Sequence, residues 1–130
     1  MSDVKEMVDV NQKLSWDEAL ERESWLAPLV DIYETDNDYY LTALMPGVKK
    51  EDVKIKLEEG NLVIMGRVDY NELVNRKYVL KETDTSNYYR KFKLSDSVDE
   101  SRVDAKFENG VLKIRLPKHD RVKPKTIEIK

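Results

Sequence analysis

From Pro28 onward, apolar and polar side chains alternate in short runs separated by turn residues, the period-two signature of half-buried strands. Val30 and Ile32, then Leu41, Ala43 and Met45, predict a first pair of strands joined through Thr35-Asp36-Asn37-Asp38. Val53, Ile55 and Leu57 alternate with Lys54, Lys56 and Glu58. After Glu59-Gly60-Asn61 the alternation resumes, with Leu62 and Ile64 on one face and Val63 and Met65 on the other, which predicts a hairpin. Tyr88, Arg90, Phe92 and Leu94 against Tyr89, Lys91 and Lys93 predict a further strand. The clearest signal is DAKFENGVLKIRLPK, from Asp104 to Lys118. Val103, Ala105 and Phe107 lead into Asn109-Gly110, whose backbones accept the positive φ values of a type I′ turn, and Leu112, Ile114 and Leu116 return. Many short strands at this spacing predict an all-β sandwich.

Ahead of the strands, the chain from Met1 to about Leu26 contains neither Gly nor Pro. Ser15-Trp16-Asp17-Glu18 fits a capping box and predicts a helix from Trp16 to about Leu26. Trp16, Ala19, Leu20 and Leu26 fall roughly on one side of it and Trp25 lies off that side. This pattern suits a helix packed on its own domain as well as an apolar arm exposed for partners. Arg67 to Arg76 is too polar and too long for a tight turn, and it leads into the strand-like Lys77 to Lys81, a strand that needs a partner. In the tail, Pro124 stops regular structure, and Ile127 and Ile129 point the same way if the segment is extended. The expected organisation is an arm over 1–27, a sandwich domain over 28–118 with an excursion at about 67–81, and an extension over 119–130.

The 130 residues suit one domain with a single core. Of these 38% are charged, yet the net charge is only -3, so both signs are interspersed and no basic stripe points to nucleic acid. There is no cysteine, which removes disulfides, thiol catalysis and thiolate metal sites, and suits a reducing cytoplasm. Asp3, Glu6 and Asp9 interrupt the first ten residues, unlike an export leader. No apolar run approaches the roughly 20 residues a membrane helix needs.

The chemistry that remains is sparse. His119 stands alone in a basic tail with no second ligand nearby, and its default is a solvated surface position. The 26 acidic residues are scattered through charged faces, with no pair held in unlike environments for acid–base work. Asp36-Asn37-Asp38 lacks the spacing of a calcium loop and reads as a turn. Four dispersed glycines do not make a phosphate loop, and seven tyrosines without a basic stripe belong to core or interface. No catalytic residue, cofactor or metal site is expected, and the chain reads as a binding protein rather than an enzyme.

The singled-out residues resemble the small heat-shock protein family, whose shared module is the α-crystallin domain, an immunoglobulin-like two-sheet sandwich. Ala105-Lys106-Phe107-Glu108-Asn109-Gly110-Val111-Leu112 matches the family signature A-x-x-x-N-G-V-L at every fixed place. Met45-Pro46-Gly47-Val48 is similar to its Pro-Gly turn, Leu62-x-Ile64-x-Gly66 to its alternating strand, and Arg90-Lys91-Phe92-Lys93-Leu94 to its arginine-bearing strand. Ile127-Glu128-Ile129 is similar to its C-terminal I-x-I motif. The resemblance covers Pro28 to Lys130. Thr83, Ser86 and Ser95 depart from it, standing where arginine, glycine and proline are common.

What the resemblance implies is a holdase, an ATP-independent chaperone that captures partly unfolded client proteins, with ATP-dependent refolding chaperones as downstream partners. It implies an exchange segment whose strand, carrying Tyr78, Val79 and Leu80, adds to the neighbouring subunit near Val30 and Ile32, giving a homodimer with Arg90 near the interface. Ile127 and Ile129 would dock on another dimer, in a groove between the strand of Val53, Ile55 and Leu57 and that of Val103, Ala105 and Phe107, and so build a homo-oligomer. Each of those six residues fits the core as well as the groove. Client capture would fall to the arm, with Trp16, Leu20, Trp25 and Leu26 beside Val4, Met7, Val8, Val10 and Leu14. The arm is short for this family and favours a modest or labile oligomer. A p23-like co-chaperone or adaptor module, acting as a monomer on a dedicated partner, is the alternative.

Overall fold

The computed structural model describes residues 14–68 and 86–130. Helix α1 spans Trp16–Arg22 and is followed by eight strands: β1 Trp25–Leu26, β2 Leu29–Glu34, β3 Asp38–Leu44, β4 Val48–Glu58, β5 Asn61–Val68, β6 Asn87–Lys93, β7 Asp104–Glu108 and β8 Val111–Pro117. They form two four-stranded sheets, ordered β1-β6-β5-β4 and β2-β3-β8-β7. Apart from the parallel β1–β6 pairing, every ladder is antiparallel. Leu41 and Ala43 of β3, Leu62 and Ile64 of β5, and Leu112, Ile114 and Leu116 of β8 fill the space between the sheets. The expected sandwich is therefore present, with β2 to β8 carrying the alternating runs read from the sequence, while the strand-like Lys77 to Lys81 lies outside the described residues.

Both predicted hairpins close through two residues at positive φ, Glu59 (50°) with Gly60 (77°) and Asn109 (51°) with Gly110 (77°). This is the type I′ geometry whose twist matches that of the flanking strands. The Asn109-Gly110 tip also packs on the Met45-Pro46-Gly47 loop. The Met45 N–H donates to the Gly110 carbonyl at 2.7 Å, and a Cβ on Gly110 would lie 3.3 Å from Pro46 Cα. The two most recognisable turns of the chain thus hold each other.

Several boundaries differ from expectation. Helix α1 ends at Arg22, not near Leu26. Glu23 is extended, the Ser24 carbonyl accepts from the Asn87 N–H, and Trp25 and Leu26 pair with Asn87 and Tyr88. Sheet pairing captures the residues that helical periodicity alone would have extended. Arg67 and Val68 belong to β5 rather than to the excursion, because the ladder to β4 continues to Val68. Met45 follows β3 as a fully buried loop residue, and Val103 precedes β7 at the end of a 3-10 turn over Glu100–Arg102.

Candidate functional site: the open edges of the sandwich

The sheet orders leave edge strands at two mouths. On one side Ile32 of β2 and Tyr39 and Leu41 of β3 face Leu62 of β5 and Phe92 of β6 across a common pocket. The opposite mouth is therefore flanked by β4 and β7, the outer strands at the other ends of their sheets.

At the β4/β7 mouth, Val53 and Ile55 are half-buried against the core, as are Val103 and Phe107, while Leu57 and Ala105 are exposed. The six residues expected to accept the tail thus divide: four are half-buried against the core and two are exposed. Outward-facing Lys54 and Lys56 on β4, and Asp104, Lys106 and Glu108 on β7, alternate with them. Charged side chains of this kind keep edge strands from indiscriminate pairing. Ile127 and Ile129 are 84% and 94% exposed, so the tail occupies neither mouth of its own subunit.

At the other mouth the pocket has a volume of about 210 Å³ and an apolar lining that includes Ile32, Phe92, Leu94, Val98 and Leu116. Its rim is edge strand β2, on which Leu29, Ile32 and Tyr33 are exposed while Val30 packs inward. Tyr33 stacks on Tyr40 with ring centroids 5.0 Å apart. Arg90 donates to the Pro28 carbonyl at 3.4 Å and lies 4.8 Å from the Phe92 ring centre. Among the described residues its guanidinium meets no carboxylate. Tyr78, Val79 and Leu80, and the arm residues Val4, Met7, Val8 and Val10, lie outside the described residues.

The outer face of the β1-β6-β5-β4 sheet carries α1, the packed one of the two arrangements that the pattern of the arm allowed. Val63, Met65 and Arg67, on the face of β5 away from the core, are all buried. Helix α1 lies against this face. Ser15 caps it as expected, its Oγ accepting from the Glu18 N–H at 3.2 Å and donating to the Glu18 carboxylate at 3.0 Å. Arg67 donates to the Leu14 carbonyl at 2.7 Å and pairs with the Glu23 carboxylate at 3.3 Å. Asn87 donates to that same carboxylate at 2.6 Å and accepts from the Val68 N–H at 3.0 Å. The Arg67 and Lys54 cations lie 5.5 and 5.6 Å from the Trp16 ring, Trp16 meets Trp25 at 6.5 Å, and Trp25 meets Tyr89 edge-on. The Trp25 indole N–H donates to the Ala19 carbonyl at 2.8 Å, so the residue expected off the packed side is central to it. Leu20 and Leu26 remain exposed. The spacing Val63-Met65-Arg67, which puts an arginine on an apolar face, marks the part of the sheet that receives the helix.

The remaining polar clusters are structural. Lys118 follows β8, is largely buried, and donates to the Glu34 carboxylate at 2.6 Å and the Thr35 carbonyl at 2.8 Å. Its hydrogen bond to Glu34 raises its pKa above the ordinary lysine value. Asp99 accepts from the Ser101 hydroxyl at 2.6 Å and from Arg102 Nε at 2.7 Å, and these bonds hold its carboxyl well below the usual range. His119 is half-buried, with Nδ1 3.9 Å from Asp99. Asp36-Asn37-Asp38 forms the β2–β3 turn, closed by the Thr35 N–H to the Asp38 carbonyl. Among the described residues no group of three or more acidic or histidine side chains is placed to hold a metal, and no helix is long and apolar enough to cross a membrane.

Residues 31–130 match the model of the Hsp20/alpha crystallin family. The chain is 41% identical over 109 residues to a probable 15 kDa heat shock protein of Leptospira interrogans, covering 84% of this chain and 81% of that one. It is 42% identical over 104 residues to a 16.9 kDa class I heat shock protein of Oryza sativa, covering 77% and 70% respectively. Among solved structures it resembles a small heat-shock protein from Xylella fastidiosa, described as having a distinct high order structure. The TM-score is 0.65 at 29% identity, over 81% of this chain and 97% of that one. The sandwich, the paired turns and these relatives agree: the chain belongs to the Hsp20/alpha crystallin family of small heat-shock proteins, a family of chaperones.

Proposed function

We propose that this protein is an ATP-independent holdase that binds partly unfolded proteins and prevents their aggregation. The observation that carries the reading is the coexistence of two open sandwich mouths with a tail whose two isoleucines are almost fully exposed. Binding by edge addition and by apolar side chains in holes needs no bond made or broken. The β2 edge, with Val30 and Ile32, takes the segment of Tyr78, Val79 and Leu80 from a second copy, and Arg90 neighbours that contact. Ile127 and Ile129 enter the β4/β7 mouth of another dimer, with Val53, Ile55, Val103 and Phe107 as its floor and Leu57 and Ala105 at its rim. Trp16, Leu20, Trp25 and Leu26 supply apolar surface for clients, and ATP-dependent chaperones refold what is released.

The test is the aggregation of a heat-labile protein followed by light scattering, with and without nucleotide. Suppression that does not depend on nucleotide is the expected result. Aggregation unaffected by the protein at several-fold molar excess would refute the reading.

A further inference from the structure

We infer that α1 is a displaceable lid, and that the sheet face beneath it binds aromatic, acid-bearing segments of non-native chains in the lid's place. The inference deepens the holdase reading and rests on it for the identity of the partner.

Among the described residues the polar contacts of the lid converge on Glu23, while the β1 pairing of Trp25 and Leu26 with Asn87 and Tyr88 anchors the chain that follows it. Glu23 is the hinge point: its N–H caps the helix through the Ala19 carbonyl, while its carboxylate takes both Arg67 and Asn87. Trp16 and Trp25 supply the apolar contact. In the ladder Met65 stands between Lys54 and Tyr89, the residues that meet those two rings, and it is 1% exposed. Beneath the lid are therefore Val63, Met65 and Tyr89, bordered by the Lys54 and Arg67 cations. Glu23 is itself about one-third exposed, so solvent reaches the latch and competes for it.

The face also specifies what can replace the lid. Arg67 is 7% exposed, and removing α1 together with its C-cap Glu23 would leave the guanidinium without that carboxylate. A replacement segment must return an acid to Arg67 and rings to the two cations, because an unpaired charge at a nearly buried site is costly. An aromatic residue followed some seven positions later by a glutamate, as Trp16 of α1 is followed by the C-cap Glu23, meets both demands. While the lid is closed, apparent affinity for such a segment is reduced by the fraction of open molecules.

The probe is a labelled synthetic peptide of residues 14–27, LSWDEALERESWLA, titrated against the full chain by fluorescence anisotropy. In the protein, Glu23→Gln weakens the latch while leaving the sheet residues untouched. Losing a charge-assisted hydrogen bond of this kind should raise the open fraction by about 10- to 100-fold and tighten peptide binding by the same factor. The peptide carrying Ala at both tryptophan positions should not bind. Both tryptophans of the chain lie in the lid contact, so their emission should shift red in Glu23→Gln while far-UV circular dichroism of the sheets is unchanged.

Equal affinity of wild type and Glu23→Gln, or no binding to either, overturns the lid. So does tryptophan emission that changes only when the sheets melt. These readouts use no client aggregation, so suppression of aggregation without peptide binding sinks the lid and leaves the holdase standing. Peptide binding without suppression leaves the lid as a binding device and sinks the holdase.

Discussion

Replacing Ile127 and Ile129 together by alanine tests the proposed assembly most directly. Each substitution removes about three methylene equivalents, worth roughly 0.8 kcal/mol apiece when fully buried, or about 5 kcal/mol for the pair. The β4/β7 mouth is open on one side, with Leu57 and Ala105 at its rim, so about half of that is the appropriate figure. Roughly 2.5 kcal/mol corresponds to about 60-fold weaker association for each docked tail. The sandwich and the proposed dimer contact are not involved, because both isoleucines project from the subunit at 84% and 94% exposure. Size-exclusion chromatography with light scattering, across a range of protein concentrations, should show the particle falling to dimers. Ala105→Glu should reproduce the effect from the acceptor side: Ala105 is exposed, so the folded subunit should lose little stability, while a carboxylate would face the incoming isoleucine. Combining the three substitutions should be no worse than either set alone, since both remove one contact. Particle size unchanged in the Ile127→Ala/Ile129→Ala variant would remove the tail from the assembly, and full additivity would place its partner elsewhere.

Two further predictions concern the scaffold. Gly110→Ala places a Cβ at φ +77° and 3.3 Å from Pro46 Cα, so it should destabilise the fold by about 1–3 kcal/mol. A thermal melt showing no fall in Tm would refute the proposed locking of the two turns. Asp99 is held below its ordinary carboxylate value, chiefly by the Ser101 hydroxyl and then by Arg102. The folded state therefore binds fewer protons than the unfolded chain near pH 4, and the stabilisation is full above that pH and is lost as pH falls below it. Asp99→Asn should be less stable at pH 6 and show a shallower loss between about pH 4 and 2, measured by urea denaturation. Parallel curves for wild type and variant would contradict this.

The strands were legible because a sandwich imposes a local rule. Side chains in β3, β7 and β8 must alternate between core and solvent, and the Asn109-Gly110 pair must supply positive φ, so both are written in neighbouring residues. The capping box at Ser15 was legible for the same reason. The end of α1 was not, since the choice between another helical turn and the β1–β6 pairing depends on Asn87, 64 positions from Glu23. Nor was the burial of both faces of β5, as Val63-Met65-Arg67 acquires its meaning only when a helix from another part of the chain covers it. The candidate edges followed a similar division: Val53, Ile55, Leu57, Val103, Ala105 and Phe107 were identifiable as apolar strand positions, but that the first two and Val103 and Phe107 pack inward while Leu57 and Ala105 are exposed depends on how the sheets are stacked.

Taken alone, the sequence determined the all-β class, the two hairpins and the type I′ turn at Asn109-Gly110, the family signature and the paired isoleucines of the tail, because each depends on residues close together in the chain. The tertiary structure decided where α1 stops, that Arg67 is buried against Glu23, and that β2, β4 and β7 are left as edges. Those outcomes depend on contacts between distant segments, and no local pattern encodes which element will cover a given face.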